Sequence, residues 1–131
     1  MKLKASLFVM RLTVAAFFAV WALEKILHPE ITAGVFATFY GIENLPAAAS
    51  YALGAVQLLF IAGFLLLGRW RIVTTGALLA MHAVSTLSTW QQLINPYEGP
   101  NHLFWAAVPA LGAMIALFLL RDEDTMFTFG R

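Results

Sequence analysis

The sequence predicts an all-α membrane protein: an up-down bundle of four transmembrane helices, with a short interfacial helix or loop between helices 1 and 2. Three observations predict it. Of 131 residues, 61% are hydrophobic and 11% charged, against about 45–50% and about 25% in a soluble domain. Mean hydropathy is +0.80. The apolar residues gather in four runs, each close to the roughly 20 residues a spanning helix needs. Runs such as Leu58-Leu59-Phe60-Ile61 do not alternate in polarity, which argues against a membrane barrel. An open sheet would leave its edge groups unsatisfied in lipid.

The first helix is expected over 5–27. Lys2 and Lys4 precede it, and Val20-Trp21-Ala22 loosely resembles a signal-peptidase site. Arg11 interrupts the run, and Trp21 and Glu24-Lys25 are poor cleavage flanks, so an uncut helix is expected. It stops at His28-Pro29, because proline disfavours helix in the residue before it. The stretch 30–41 carries Ile31, Val35, Phe36, Phe39 and Tyr40. It reads either as a short interfacial helix or as a packed loop over the bundle mouth.

The second helix is expected over 47–68. Pro46 stands at its start, where a missing N–H costs nothing. Gln57 is its one strongly polar interior residue. The turn Gly68-Arg69-Trp70-Arg71 leads into the third helix, over 72–94, and makes the two antiparallel neighbours. Asn95-Pro96-Tyr97-Glu98-Gly99-Pro100 is a turn-rich loop. The fourth helix is expected over 102–120, with an acidic tail, 121–131, closing a single domain. Small residues at Ala48, Ala52 and Ala55, at Gly76 and Ala80, and at Ala106, Ala110 and Ala113 offer stripes for close helix approach.

Charge placement orients the chain. Lys2, Lys4, Arg69, Arg71, Arg121 and Arg131 fall on one side, with Lys25 alone near the other. Basic residues are retained on the cytoplasmic side. Both termini are therefore expected in the cytoplasm, in a bacterial inner membrane. The net charge of +1 speaks against nucleic acid as a partner. The absence of cysteine excludes disulfides, thiolate metal sites and dithiol relays. No phosphate-cradling glycine loop and no nucleophile–base order is present, so catalysis is not expected.

Several short motifs together resemble the DoxX-like family of small four-helix membrane proteins. Arg11 followed by Glu24-Lys25-Ile26-Leu27 and Pro29 is similar to the family's arginine and its lysine–leucine–x–x–proline exit. The run from Gly54 to Gly63 resembles its glycine-bearing second helix, with Gln57 where a glutamate often stands. Leu67-Gly68-Arg69 resembles its glycine-then-basic turn, and Met81-His82-Ala83 continues the small and Met/Ala pattern. The resemblance implies a four-helix fold. It also implies kinship with subunits of quinone-linked sulfur oxidation, partners of redox-defence proteins and membrane chaperones of receptor assembly.

Ionisable and strongly polar residues inside a bilayer are costly, so each is a candidate. His82 and Gln57 lie near mid-depth on neighbouring helices. Thr75, His82, Ser85, Thr86, Thr89 and Gln92 share one helical face. A His82–Gln57 level, with Ser85 and Thr89 and with Trp21 or Trp90 near the mouth, suits a quinone or lipid ligand. The same residues also serve simple interhelical bonding. Glu24 and His28 lie one turn apart, and His102 starts the fourth helix at the same level. Together they form a ligand set for Zn²⁺ or Cu²⁺, with an interfacial salt bridge as the plainer reading. His82 lies roughly 15 Å deeper and stands outside that set. Arg11 either snorkels to headgroups or points inward to an acidic group of a partner or to helix-end carbonyls. Lys25 is expected to snorkel outward or pair locally. The functions that follow are a non-catalytic subunit or scaffold binding other membrane subunits or itself, a quinone- or lipid-binding protein, and an outer-face metal-binding protein.

Overall fold

The computed structural model describes residues 1–130. It contains six α-helices: α1 Lys2–Leu27, α2 Pro29–Phe39, α3 Ala47–Leu66, α4 Arg71–Ser88, α5 Trp90–Ile94 and α6 Ala107–Leu119. A 3₁₀ turn, Asn101–Ala106, leads into α6. Three segments are long and apolar enough to cross a membrane: Lys2–Leu27, Ala47–Leu66 and Asn101–Leu119.

The expected third span, 72–94, is broken at Thr89. Three hydroxyls in that stretch turn back on the backbone. Thr86 Oγ1 donates to the His82 carbonyl at 2.8 Å, Ser88 Oγ to Ser85 at 2.6 Å, and Thr89 Oγ1 to Thr86 at 2.8 Å. Such bonds compete with the helical ladder. The Thr89 N–H accordingly turns to the Thr86 carbonyl, at 3.1 Å, three residues back instead of four. α6 also starts later than expected. Its third residue is Pro109, whose missing N–H is harmless only in a helix's first turn. The segment after α1 resolves as a helix. His28 leaves helical geometry at φ −136°, and Pro29 occupies the first position of α2.

α1 packs mainly on α3 and α4 mainly on α6. Contacts of α3 with α4 and of α1 with α6 close a ring, and α2 lies against α1 and α3. Leu7, Arg11, Val14, Ala15, Phe18 and Ala22 form the buried stripe of α1. They meet Ile61 and Phe64 of α3, Leu78 of α4, and Met114 and Leu117 of α6. The closest crossing is at Gly54. A Cβ there would lie 2.8 Å from Ile26 Cγ1 and 2.9 Å from the Ala22 carbonyl oxygen. One turn away, Ser50 Oγ donates to the Lys25 carbonyl at 2.6 Å. The α1–α3 seam thus runs through Ser50 and Gly54. The expected stripe of Ala48, Ala52 and Ala55 is exposed, because it lies on the other side of the helix.

α4 is polar inward and apolar outward. Thr74, Thr75, His82 and Thr86 are buried, while Ile72, Val73, Val84 and Leu87 are exposed. Water would favour the opposite arrangement.

The segment after α6 folds back across one end of the bundle. Phe129 N–H donates to Leu66 O at 2.7 Å and Gly68 N–H to Phe129 O at 2.9 Å. These bonds tie the tail to the turn between α3 and α4. Phe127 holds a left-handed φ of +55°, uncommon for a bulky residue, and its ring meets Phe8 edge-on at 4.9 Å. The start of α1, the α3–α4 turn and the tail thus share one end, called here the tail end.

Candidate functional site

Two polar layers stand out among the described residues, one at the level of His82 and one at the tail end.

His82 is 5% exposed. Its Nε2 lies 2.8 Å from the Ala107 carbonyl oxygen at the start of α6. A carbonyl only accepts, so Nε2 carries the proton. Phe17 and Phe18 of α1 approach the imidazole edge-on at 5.5 and 6.0 Å. The ring is thereby wedged between α1 and α6. Gln57 does not pair with it. Gln57 Nε2 faces Met81 Sδ at 3.7 Å, and its Oε1 is buried without a partner, as is Thr75 Oγ1. The structure brings Thr86 and Thr89 to the buried side with His82 but leaves Ser85 exposed. Ser85 is three residues from His82, and the small angular offset turns it to the outer face. Trp21 is also exposed, at 46%, and does not close over this level.

The residues proposed as metal ligands do not converge. No group of three His, Asp or Glu side chains among the described residues is placed to hold a metal ion. His28 Nδ1 instead lies 3.4 Å from Glu30 Oε1, both exposed. His102 is exposed and Glu24 half-buried. The helix break at His28 turns that imidazole away from the α1 face that carries Glu24. Lys25 Nζ reaches the Trp21 carbonyl oxygen at 3.5 Å, a local partner one turn back.

The tail-end layer is the stronger constellation. Arg11 is 0% exposed, Arg71 3% and Asp124 1%. Arg11 Nη1 bonds Asp124 Oδ1, and Arg11 Nη2 bonds the Met126 carbonyl. Arg71 Nε lies 3.2 Å from the Asp124 carbonyl oxygen and 3.5 Å from Oδ2. Arg71 Nη1 donates to the Phe64 carbonyl. One carboxylate thus stands between two guanidiniums, and backbone carbonyls take several of the remaining donors. Burial pushes the Asp124 carboxyl above the ordinary aspartate value, with Arg71 and Arg11 pulling against it. Arg11 points inward, and its acidic partner comes from this chain rather than another subunit.

Asp124 and Arg71 were missed as site residues. In the sequence Arg71 reads as a charge that orients the chain, and the orientation rule gives the acidic tail no weight because it counts basic residues. A usable signal existed. An arginine inside one apolar run and another at the start of the next need an anion, and Asp122-Glu123-Asp124 is the acidic run on their side.

Family models, curated proteins and solved structures yielded no match to this chain.

Proposed function

We propose that this protein is a four-span integral membrane protein acting as a non-catalytic subunit or scaffold. In this reading α4 with α5 is a further span, third in chain order, beside the three long apolar segments. The outward apolar and inward polar faces of α4 support it, because that arrangement suits lipid. Lys2, Lys4, Arg69 and Arg121 at the tail end support a cytoplasmic placement of both termini, in a bacterial inner membrane. The motifs at Arg11, Lys25–Pro29 and Gly54–Gly63 support DoxX-like kinship.

The observation that carries the scaffold reading is where the interior polar groups are bonded. His82 is bound to Ala107, and Arg11 and Arg71 close on Asp124. Catalysis needs polar groups aimed at a substrate, and here the strongest are committed to holding helices together. Large apolar side chains such as Leu59, Leu87 and Leu119, 74%, 69% and 72% exposed, line the outside, where lipid or other membrane helices would pack. Native mass spectrometry from lipid discs tests the proposal. A stable oligomer or a co-purifying subunit is the expected result. A lone monomer that recruits nothing overturns it.

A second reading is a bound quinone or lipid at the Gln57 level. The orphaned Gln57 Oε1 favours it, since buried polar atoms normally find partners. Extraction and analysis of co-purified lipids and quinones separates the readings. Loss of a specific ligand in Gln57→Leu supports the second, and unchanged extracts remove it.

A further inference from the structure

We propose that the cleft between the α3–α4 turn and the tail binds the phosphate of an anionic lipid headgroup. This rests on the membrane-inserted reading. The cleft has a volume of about 380 Å³ and is lined by Gly68, Arg69, Arg121, Asp122 and Thr125. It lies beside the Arg11–Asp124–Arg71 cluster but uses different cations. Neither Arg69 nor Arg121 forms an ion pair among the described residues, whereas Arg11 and Arg71 share Asp124.

Arg121 is held in place for this role. Its Nη1 donates to the Phe118 carbonyl at 2.8 Å, and its guanidinium lies 4.5 Å from the centre of the Phe118 ring. Its other N–H donors remain available, and a guanidinium fork matches phosphate oxygens. Lys4 Nζ donates to Thr125 Oγ1 at 3.3 Å. That bond uses a lone pair of the hydroxyl and leaves its proton free to donate to an anion. Lys4, Arg69 and Arg121 are opposed by one lining carboxylate, Asp122, so the cleft carries net positive charge.

The position favours a lipid over a dissolved anion. The cleft sits where α3 and α6 end. Trp70, Phe127 and Phe129, which are 51%, 72% and 69% exposed, belong to the same turn and tail. Exposed aromatics at the ends of apolar helices settle at headgroup depth. Lipid phosphates would therefore stand at the level of Arg69 and Arg121.

The test uses the full-length protein in native mass spectrometry and in flotation with vesicles of phosphatidylcholine, with and without phosphatidylglycerol. The wild type is expected to retain phosphatidylglycerol over phosphatidylcholine. Arg69→Gln/Arg121→Gln should weaken that preference roughly twenty-five-fold, from about fivefold per basic side chain near an anionic surface. Asp122→Asn should strengthen it, a gain that misfolding cannot mimic. Equal lipid preference in wild type and double variant overturns the proposal, as does an unchanged preference in Asp122→Asn. Inorganic phosphate alone is the competing probe. If it displaces phosphatidylglycerol at millimolar excess, the cleft is a free-phosphate site and the lipid assignment fails. Flotation and mass spectrometry keep the premises apart: failure to float with any vesicle refutes membrane insertion, whereas flotation with both vesicle types and equal retention of the two lipids in native mass spectrometry refutes only the headgroup site.

Discussion

Replacing Asp124 by Asn tests whether the tail is a structural part of the bundle. Asn retains the shape of the side chain and an acceptor for Arg11. It removes the negative charge and puts an amide where Oδ2 now lies 3.5 Å from Arg71 Nε. If the amide nitrogen takes that position, a donor faces a donor. Both guanidiniums remain buried, at 0% and 3% exposure, with only carbonyls as acceptors. Removing one partner of a buried ion pair costs about 3–5 kcal/mol, a large share of a typical stability of about 5–15 kcal/mol. Unfolding from mild detergent by titration with a denaturing detergent, followed by far-ultraviolet circular dichroism, measures the loss. Arg11→Met/Arg71→Met/Asp124→Leu should recover most of it, since apolar groups of similar size can replace a buried ionic set without loss. An Asp124→Asn protein within about 1 kcal/mol of wild type, the range of a surface pair, would refute the assignment of Asp124 as the compensating charge. So would a triple variant no more stable than the single one.

Two further substitutions probe the helix contacts. Gly54→Ala should destabilise by about 1–3 kcal/mol through overpacking at Ile26 and the Ala22 carbonyl. Gly112→Ala, where a Cβ meets nothing within 4 Å, should not destabilise, and equal effects in the same unfolding titration would contradict the α1–α3 crossing. His82→Ala removes the bond to Ala107 and the packing against Phe17 and Phe18, and should cost about 2–4 kcal/mol, as buried large-to-small changes do. Ser85→Ala, on the exposed side of the same helix, should be neutral, and the reverse ranking would mean the polar face is misassigned.

Particular elements show how much of this was legible from composition and spacing. The C-terminal end of α1 and the start of α3 follow from Pro29 and Pro46, because proline acts on its own neighbours and needs no tertiary information. The break at Thr89 escapes a hydropathy pattern, although its cause is local. Thr86, Ser88 and Thr89 pass for an apolar-compatible run in a hydropathy window, while their hydroxyls compete for the backbone. His82 was identified as buried, since a polar residue in an apolar run has few other places to go. Its partner is not legible there: Gln57 matches it in depth, whereas the acceptor is a main-chain carbonyl on α6, invisible to side-chain pattern. The α3 seam was placed on three alanines because small residues look equivalent in sequence. Ser50 and Gly54 hold it because of how α3 is rotated against α1.

By itself, the sequence determined an all-helical chain with apolar runs of membrane length, basic residues gathered toward one end, and a short set of polar residues committed to the interior. These properties depend on composition and on separations within a few turns, where helix periodicity and solvent transfer decide the outcome. Only the tertiary structure decided which anion answers Arg11 and Arg71. The pairing joins positions separated by 113 residues, and it depends on the tail folding back after α6 and bonding to Leu66 and Gly68. Asp122, Glu123 and Asp124 carry the same charge and differ only in direction. The path of the tail buries Asp124 alone and leaves Asp122 in the cleft beside Arg69 and Arg121.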